Sequence, residues 1–156
     1  MARNKSRISV QNIESIPISS ITLDHEIQPR CQIYDHVVKK FAAAMRQGEK
    51  FPPVIVYYNG AKFWLVDGFH RLRAKEIIGD LEILADVWQG NHQDAVLHAI
   101  GANLDSELKL TEADLHKNIY KLIGHPEWKR WSNSEIADLI WSERRIYPSI
   151  ARAENR

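Results

Sequence analysis

Hydrophobic and polar positions alternate, cluster and break along this chain in a readable order. Pro17-Ile-Ser-Ser-Ile-Thr-Leu23 is short and β-branched and predicts a strand start. Gln28-Pro29-Arg30 predicts a loop, because a residue before proline avoids helical backbone. Tyr34–Gln47 predicts a helix: Val37, Val38, Phe41, Ala44 and Met45 share a face, Asp35 is placed to cap it, and Gly48 to end it. Pro52-Pro53 breaks the chain. Val54–Tyr58 and Lys62–Val66 then flank Asn59-Gly60, the pattern of a hairpin. Asp67-Gly68 leads into a helix over Phe69–Ile78, with Leu72, Ala74 and Ile77 apolar and Gly79 as its stop. Ile83–Trp88 predicts one more strand. Helices follow near Gln93–Ala102, Thr111–Ile123, Asn133–Trp141 and Glu143–Ala153.

Strands therefore mix with helices to about residue 104, and only helices follow. The expected class is α+β, a mixed sheet with helices followed by a small all-helical C-terminal region. The expected divisions are a flexible tail over 1–16, one domain over 17–104 and a helical region over 105–156.

Composition narrows the function classes. The 156 residues hold 21 Lys+Arg against 20 Asp+Glu, so a polycationic coat for nucleic acid is excluded. The balance is even along the chain: residues 1–104 carry 12 basic and 11 acidic side chains, residues 105–156 nine of each. A lone Cys31 excludes a disulfide framework and a Cys-rich metal site. No apolar run approaches bilayer length, and none follows the opening Met1–Arg7 as in a secretory leader. A cytoplasmic address and no membrane partner are expected. His116 and His125 lack a partner at metal-ligand spacing, and His92 and His98 lack a carboxylate in a zinc pattern, so histidine metal sites are not expected.

The chemistry concentrates in Asp67-Gly-Phe-His-Arg-Leu-Arg-Ala74, at a strand-to-helix turn. Gly68 permits a tight backbone, and the first N–H groups of the helix are free and carry the positive end of its dipole. His70, Arg71 and Arg73 add donors within a few residues, a combination suited to phosphate. Asp67 has two uses, orienting an arginine or accepting a sugar hydroxyl. The same residues also fit a plain solvated helix face with Asp67 as its cap.

Pro53-Val-Ile-Val and Phe63-Trp-Leu-Val-Asp-Gly-Phe-His-Arg-Leu-Arg-Ala74 together resemble the signature of the ParB/sulfiredoxin superfamily, in which a hairpin leads into a Gly-x-x-Arg-x-x-Ala box. Gln28-Pro29-Arg30 resembles the upstream Gln-Pro-Arg of ParB N-terminal domains. The resemblance covers roughly residues 17–104. It implies a nucleotide-binding module, with CTP the leading ligand and Mg²⁺ alongside. Gln28, Arg30, Asp67, Gly68, His70, Arg71 and Arg73 would then surround nucleotide and phosphate. Ala102-Asn103-Leu104 partly matches a further Glu-Asn-Leu segment, which makes Asn103 a magnesium-shell residue. Ala102 stands where that pattern has glutamate, so nucleotide hydrolysis is less expected than binding. Sulfiredoxins carry a cysteine in the box where this chain has Phe69, so their activity is not expected.

In the helical region, Ser132–Leu139 resembles the first helix of a helix-turn-helix, and Arg144, Arg145 and Arg152 would be its DNA-facing cations. Against it stand Trp141 in the turn, Pro148 in the second helix and the zero net charge of this half. A helical cap packing Trp128, Trp131 and Trp141 fits equally well. The leading functional expectation is a ParB-like nucleotide-binding module associated with DNA partition or transcription regulation, shorter than a complete partition protein. Its expected partners are nucleotide, DNA, a second copy or a partition or regulatory protein. The alternatives are an enzyme of the same fold (a nucleotide-dependent kinase, a weak triphosphatase or a DNA nuclease) and a plain interaction protein with an empty pocket.

Overall fold

The computed structural model describes residues 12–28, 32–103 and 111–124. Its centre is a five-stranded mixed sheet in the order β1-β5-β3-β4-β2. The strands are β1 (Ile13–Pro17), β2 (Ile21–Thr22), β3 (Val54–Tyr58), β4 (Phe63–Asp67) and β5 (Glu82–Gln89). β1 runs antiparallel to β5, β5 parallel to β3, β3 antiparallel to β4, and β4 parallel to β2. The helices are α1 (Asp35–Arg46), α2 (Phe69–Ile77), α3 (His92–Asn103) and α4 (Glu112–Gly124). No described helix is long and apolar enough to cross a membrane.

The period-two alternation of strand side chains divides the core between the two faces of the sheet. Tyr57, Trp64, Val66 and Trp88 join Ala95, Val96, Leu97, Ala99 and Ile100 of α3 on one face. Val54, Val56, Leu65, Ile83, Ala85 and Val87 join Phe69 and Leu72 of α2 on the other. This double coverage explains why β3 and β4 read as continuous apolar runs. Beyond α2 lies α1, whose Val38 and Ala42 close on Ala74.

The hairpin forms with Tyr58 opposite Phe63, and their rings stack at 4.5 Å. Its loop is pinned by Asn59 Oδ1, which accepts the N–H groups of Ala61 at 2.9 Å and Lys62 at 2.8 Å.

Four local expectations need correction. Ile13–Pro17 is a strand rather than the end of a tail. Only Ile16 on it is buried, as in an edge strand, so its alternation is faint. Ile18–Ser20 turns as a 3₁₀ helix, which shortens the predicted strand over 17–23 to Ile21–Thr22. Tyr34, not Asp35, is the N-cap of α1, and Asp35 supplies charge to the first turn instead. Ile77 is 52% exposed, because α2 directs Phe69, His70, Leu72 and Ala74 inward. The C-terminal expectations beyond residue 124, including Arg144, Arg145 and Arg152, lie outside the described residues.

Candidate functional site

The site is built where β4 stops and α2 begins. Gly68 is the N-cap of α2, with φ at +103°, and no side chain caps the helix there. A side chain at this position would also collide: a Cβ would stand 2.5 Å from Val54 Cγ1. Glycine is thus required twice over, by backbone sign and by the close approach of β3. The first helical bond runs from Leu72 N–H to the Gly68 carbonyl at 2.8 Å. The preceding N–H groups face the positive end of the dipole.

The three donors of the box diverge, because successive helical residues are about 100° apart around the axis. Arg71 turns back toward the sheet. Its Nη1 donates to the carbonyls of Pro52 at 2.7 Å and Pro53 at 2.8 Å, and its Nη2 to Asp67 Oδ2 at 3.3 Å. Asp67 therefore does orient an arginine. This set holds the entry of β3 and the exit of β4 against the first turn of α2. Among the described residues Arg71 makes these three bonds, and a guanidinium carries five N–H groups. Arg73 projects to solvent and pairs with Glu76 Oε2 at 2.9 Å.

His70 is buried. Its Nε2 accepts the N–H of Tyr34 at 3.1 Å, and its ring stacks on that of Tyr34 at 6.0 Å, with 4° between planes. An acceptor nitrogen is unprotonated, so His70 acts here as a neutral tether. The tether draws residues 32–34 onto α2. From the other side, Lys121 Nζ of α4 donates to the Gln28 carbonyl at 3.0 Å. Lys121 was not among the sequence candidates: a lone lysine on an amphipathic helix carries no motif, and the contact spans 93 positions. Arg30 lies outside the described residues. Asn103 ends α3, and its side chain is likewise outside them.

The donor set around α2 is cationic and rich in N–H groups, which suits a phosphate chain. At the start of α2 the carboxylate at hand for magnesium is Asp67, and Arg71 already holds it. A concavity lies elsewhere, at the other end of α2. It has a volume near 1050 Å³ and is lined by Pro17, Ile18, Glu76, Asp80, Leu81 and Glu82. Its rim is acidic, the wrong sign for phosphate.

A second cluster escaped the expectation that the histidines lack carboxylate partners. His92 at the start of α3 stands 3.0 Å from Asp24 and 3.8 Å from Glu26. The pairing spans 68 positions, so no local spacing announces it. His98 is buried between Tyr57 and Trp88, with Nδ1 3.1 Å from the Tyr57 hydroxyl. Burial drives its imidazole down to about 3.

The likeness to known proteins fits this geometry. A "streptomycin biosynthesis operon possible regulatory protein" of Streptomyces griseus is 23% identical over 128 residues, which cover 81% of this chain and 35% of that protein. This chain thus spans about a third of the relative's length. The chromosome-partitioning protein ParB of Caulobacter crescentus, C-terminally truncated and complexed with CTP-γ-S, aligns with a TM-score of 0.54 at 17% identity. That alignment covers 89% of this chain and 77% of that one. The same protein complexed to the centromeric parS site aligns with a TM-score of 0.55 at 17% identity, covering 84% of this chain and 70% of that one. At such identity these alignments speak to the fold alone. The family model of the ParB N-terminal domain matches residues 2–104, most of the chain, and on that match the chain belongs to the ParB N-terminal domain family.

Proposed function

We propose that this chain is a nucleotide-binding module, with CTP its leading ligand, serving DNA partition or transcription regulation. The observation that carries the reading is the His70–Tyr34 tether. It brings residues 32–34, which follow Gln28-Pro29-Arg30 in sequence, onto the first turn of α2. Phosphate would lie on the N–H groups after Gly68, with Arg71 and Arg73 as flanking cations and Gln28 and Arg30 on the opposite wall. Asp67 would hold Arg71 in place. Mg²⁺ would travel with the nucleotide, and Asn103 is the residue assigned to its shell. DNA or a regulatory partner is the proposed downstream contact, in keeping with the parS complex of the Caulobacter protein and the regulatory relative from Streptomyces. In that setting Arg144, Arg145 and Arg152 are the cations assigned to DNA, and pairing with a second copy is proposed.

Calorimetric titration with CTP and Mg²⁺ tests this, beside ATP, GTP and UTP. Saturable heat with CTP is the expected result. Arg73→Ala is the cleaner probe. Its exposed pair with Glu76 contributes at most about 1 kcal/mol to folding, while loss of a charge-assisted phosphate contact weakens binding by about tenfold or more. Arg71→Ala removes binding but also frees the carbonyls of Pro52 and Pro53, so its melting temperature falls too. No heat with any nucleotide, or equal heats for wild type and Arg73→Ala, would refute the proposal.

A further inference from the structure

We infer that Asp24, Glu26 and His92 form a binding site for one divalent transition-metal ion, of which Zn²⁺ is the best match. One ligand atom from each of His92, Asp24 and Glu26 lies within 4.8 Å of the other two. Nε2 is 3.0 Å from the Asp24 oxygen and 3.8 Å from that of Glu26. Ligands about 2.0–2.1 Å from a tetrahedral zinc stand about 3.3 Å apart, between these two separations. The two His92 separations thus lie within about 0.5 Å of that spacing.

The three groups are positioned by structure that owes nothing to a metal. The carbonyl of Asp24 accepts the N–H groups of Ile27 at 3.0 Å and Gln28 at 3.1 Å, which closes a turn. Ile27, fully buried, anchors that turn in the core under α3. Asp24 Oδ1 accepts the Glu26 N–H at 2.8 Å, leaving Oδ2 turned to the imidazole. The His92 ring in turn stands edge-on to buried Trp64, with centroids 5.6 Å apart. The two halves come from remote parts of the chain and bring one ligand atom from each residue into the same small region.

The charges agree. Burial opposes ionisation of Asp24, but the Glu26 N–H, His92 and nearby His25 together hold its carboxyl below the ordinary value. Two carboxyl groups and one imidazole thus present a mixed N/O donor set. An imidazole donor favours Zn²⁺, Co²⁺ or Ni²⁺ over Mg²⁺. Three protein ligands leave a fourth tetrahedral position open to water. Without metal, His92 and Asp24 make a partly exposed hydrogen bond, which contributes little to stability. With it, the turn that precedes Gln28-Pro29-Arg30 would be clasped to the start of α3.

None of the three residues belongs to the phosphate-facing set, so the inference stands apart from the nucleotide reading. The test uses the full chain, stripped with chelator and free of nucleotide, titrated with Zn²⁺ by calorimetry and with Co²⁺ by visible absorption. One ion per chain is expected, with a tetrahedral Co²⁺ spectrum and a melting temperature that rises with Zn²⁺ and falls back with EDTA. Affinity should drop at least tenfold in His92→Gln and in Glu26→Gln, the latter at an exposed position that folding does not depend on. His116→Gln, on the exposed side of α4, should bind as the wild type does. Absence of binding, or equal affinity in wild type, His92→Gln and Glu26→Gln, would overturn the assignment.

Discussion

Gly68→Ala is expected to lower the melting temperature on the order of 10 °C. Two costs add. At φ +103° an alanine backbone is strained by about 1–3 kcal/mol. The new Cβ would also stand 2.5 Å from Val54 Cγ1, on a strand fully buried at that point, so either α2 or β3 must move. Overpacking of this kind costs about another 1–3 kcal/mol. Each kcal/mol shifts the midpoint of a domain this size by about 2–4 °C. Gly48→Ala separates the terms. Gly48 also has positive φ, at +86°, but nothing lies within 4 Å of its added Cβ. Thermal melts of both variants should place Gly68→Ala well below Gly48→Ala. Equal midpoints would mean that the close approach of β3 to the start of α2 does not constrain that turn.

The second large effect is a loss of stability in mild acid, traced to His98. Its imidazole is fully buried and its folded value lies at about 3, against about 6.5 in an unfolded chain. A depressed folded value means that the unfolded state binds the proton first. The associated stability is present above about pH 6.5 and is lost as pH falls toward 3. In that window one such group changes stability by about 1.4 kcal/mol per pH unit. Other histidines titrate in the same window, so the difference from a His98 variant isolates this contribution. Urea unfolding at a series of pH values should show this slope in wild type and a flatter one in His98→Gln, whose amide can still meet the Tyr57 hydroxyl. The same slope in both proteins would place the acid sensitivity elsewhere.

What the sequence discloses about this fold is what local pattern can encode. The hairpin is legible because Val54–Tyr58 and Phe63–Asp67 are β-rich and flank Asn59-Gly60. The start of α2 is legible because glycine before a helical run marks a tight turn, and four of the predicted helices appear within two residues of their expected ends. β1 was hidden because only one of its side chains is buried, so hydrophobicity gives it no strong period. Arg71 illustrates a different limit. Its residue type suggests a ligand cation, yet its nearest acceptors are the carbonyls of Pro52 and Pro53, which belong to backbone and leave no mark in composition. His92 shows the long-range limit: its carboxylates arrive through the sheet from the region of β2, not from its own helix. His70 and Lys121 carry the same lesson, since each binds backbone that only the fold brings near.

The proposed reading asks a chain with almost no net charge to serve as an anion binder. A helix start concentrates several N–H groups without adding a single formal charge, which is how the proposal meets that demand. The opposite end of α2, with Glu76, Asp80 and Glu82, returns the balance. Polarity along one short helix, rather than bulk charge, is the electrostatic feature on which the proposed activity depends.

The most direct measurement is a crystal structure of this chain grown with CTP and Mg²⁺. Triphosphate density against the N–H groups that follow Gly68, flanked by Arg71 and Arg73, is the expected result. An empty α2 start at saturating CTP, or a nucleotide bound at some other place on the chain, would contradict the proposed site.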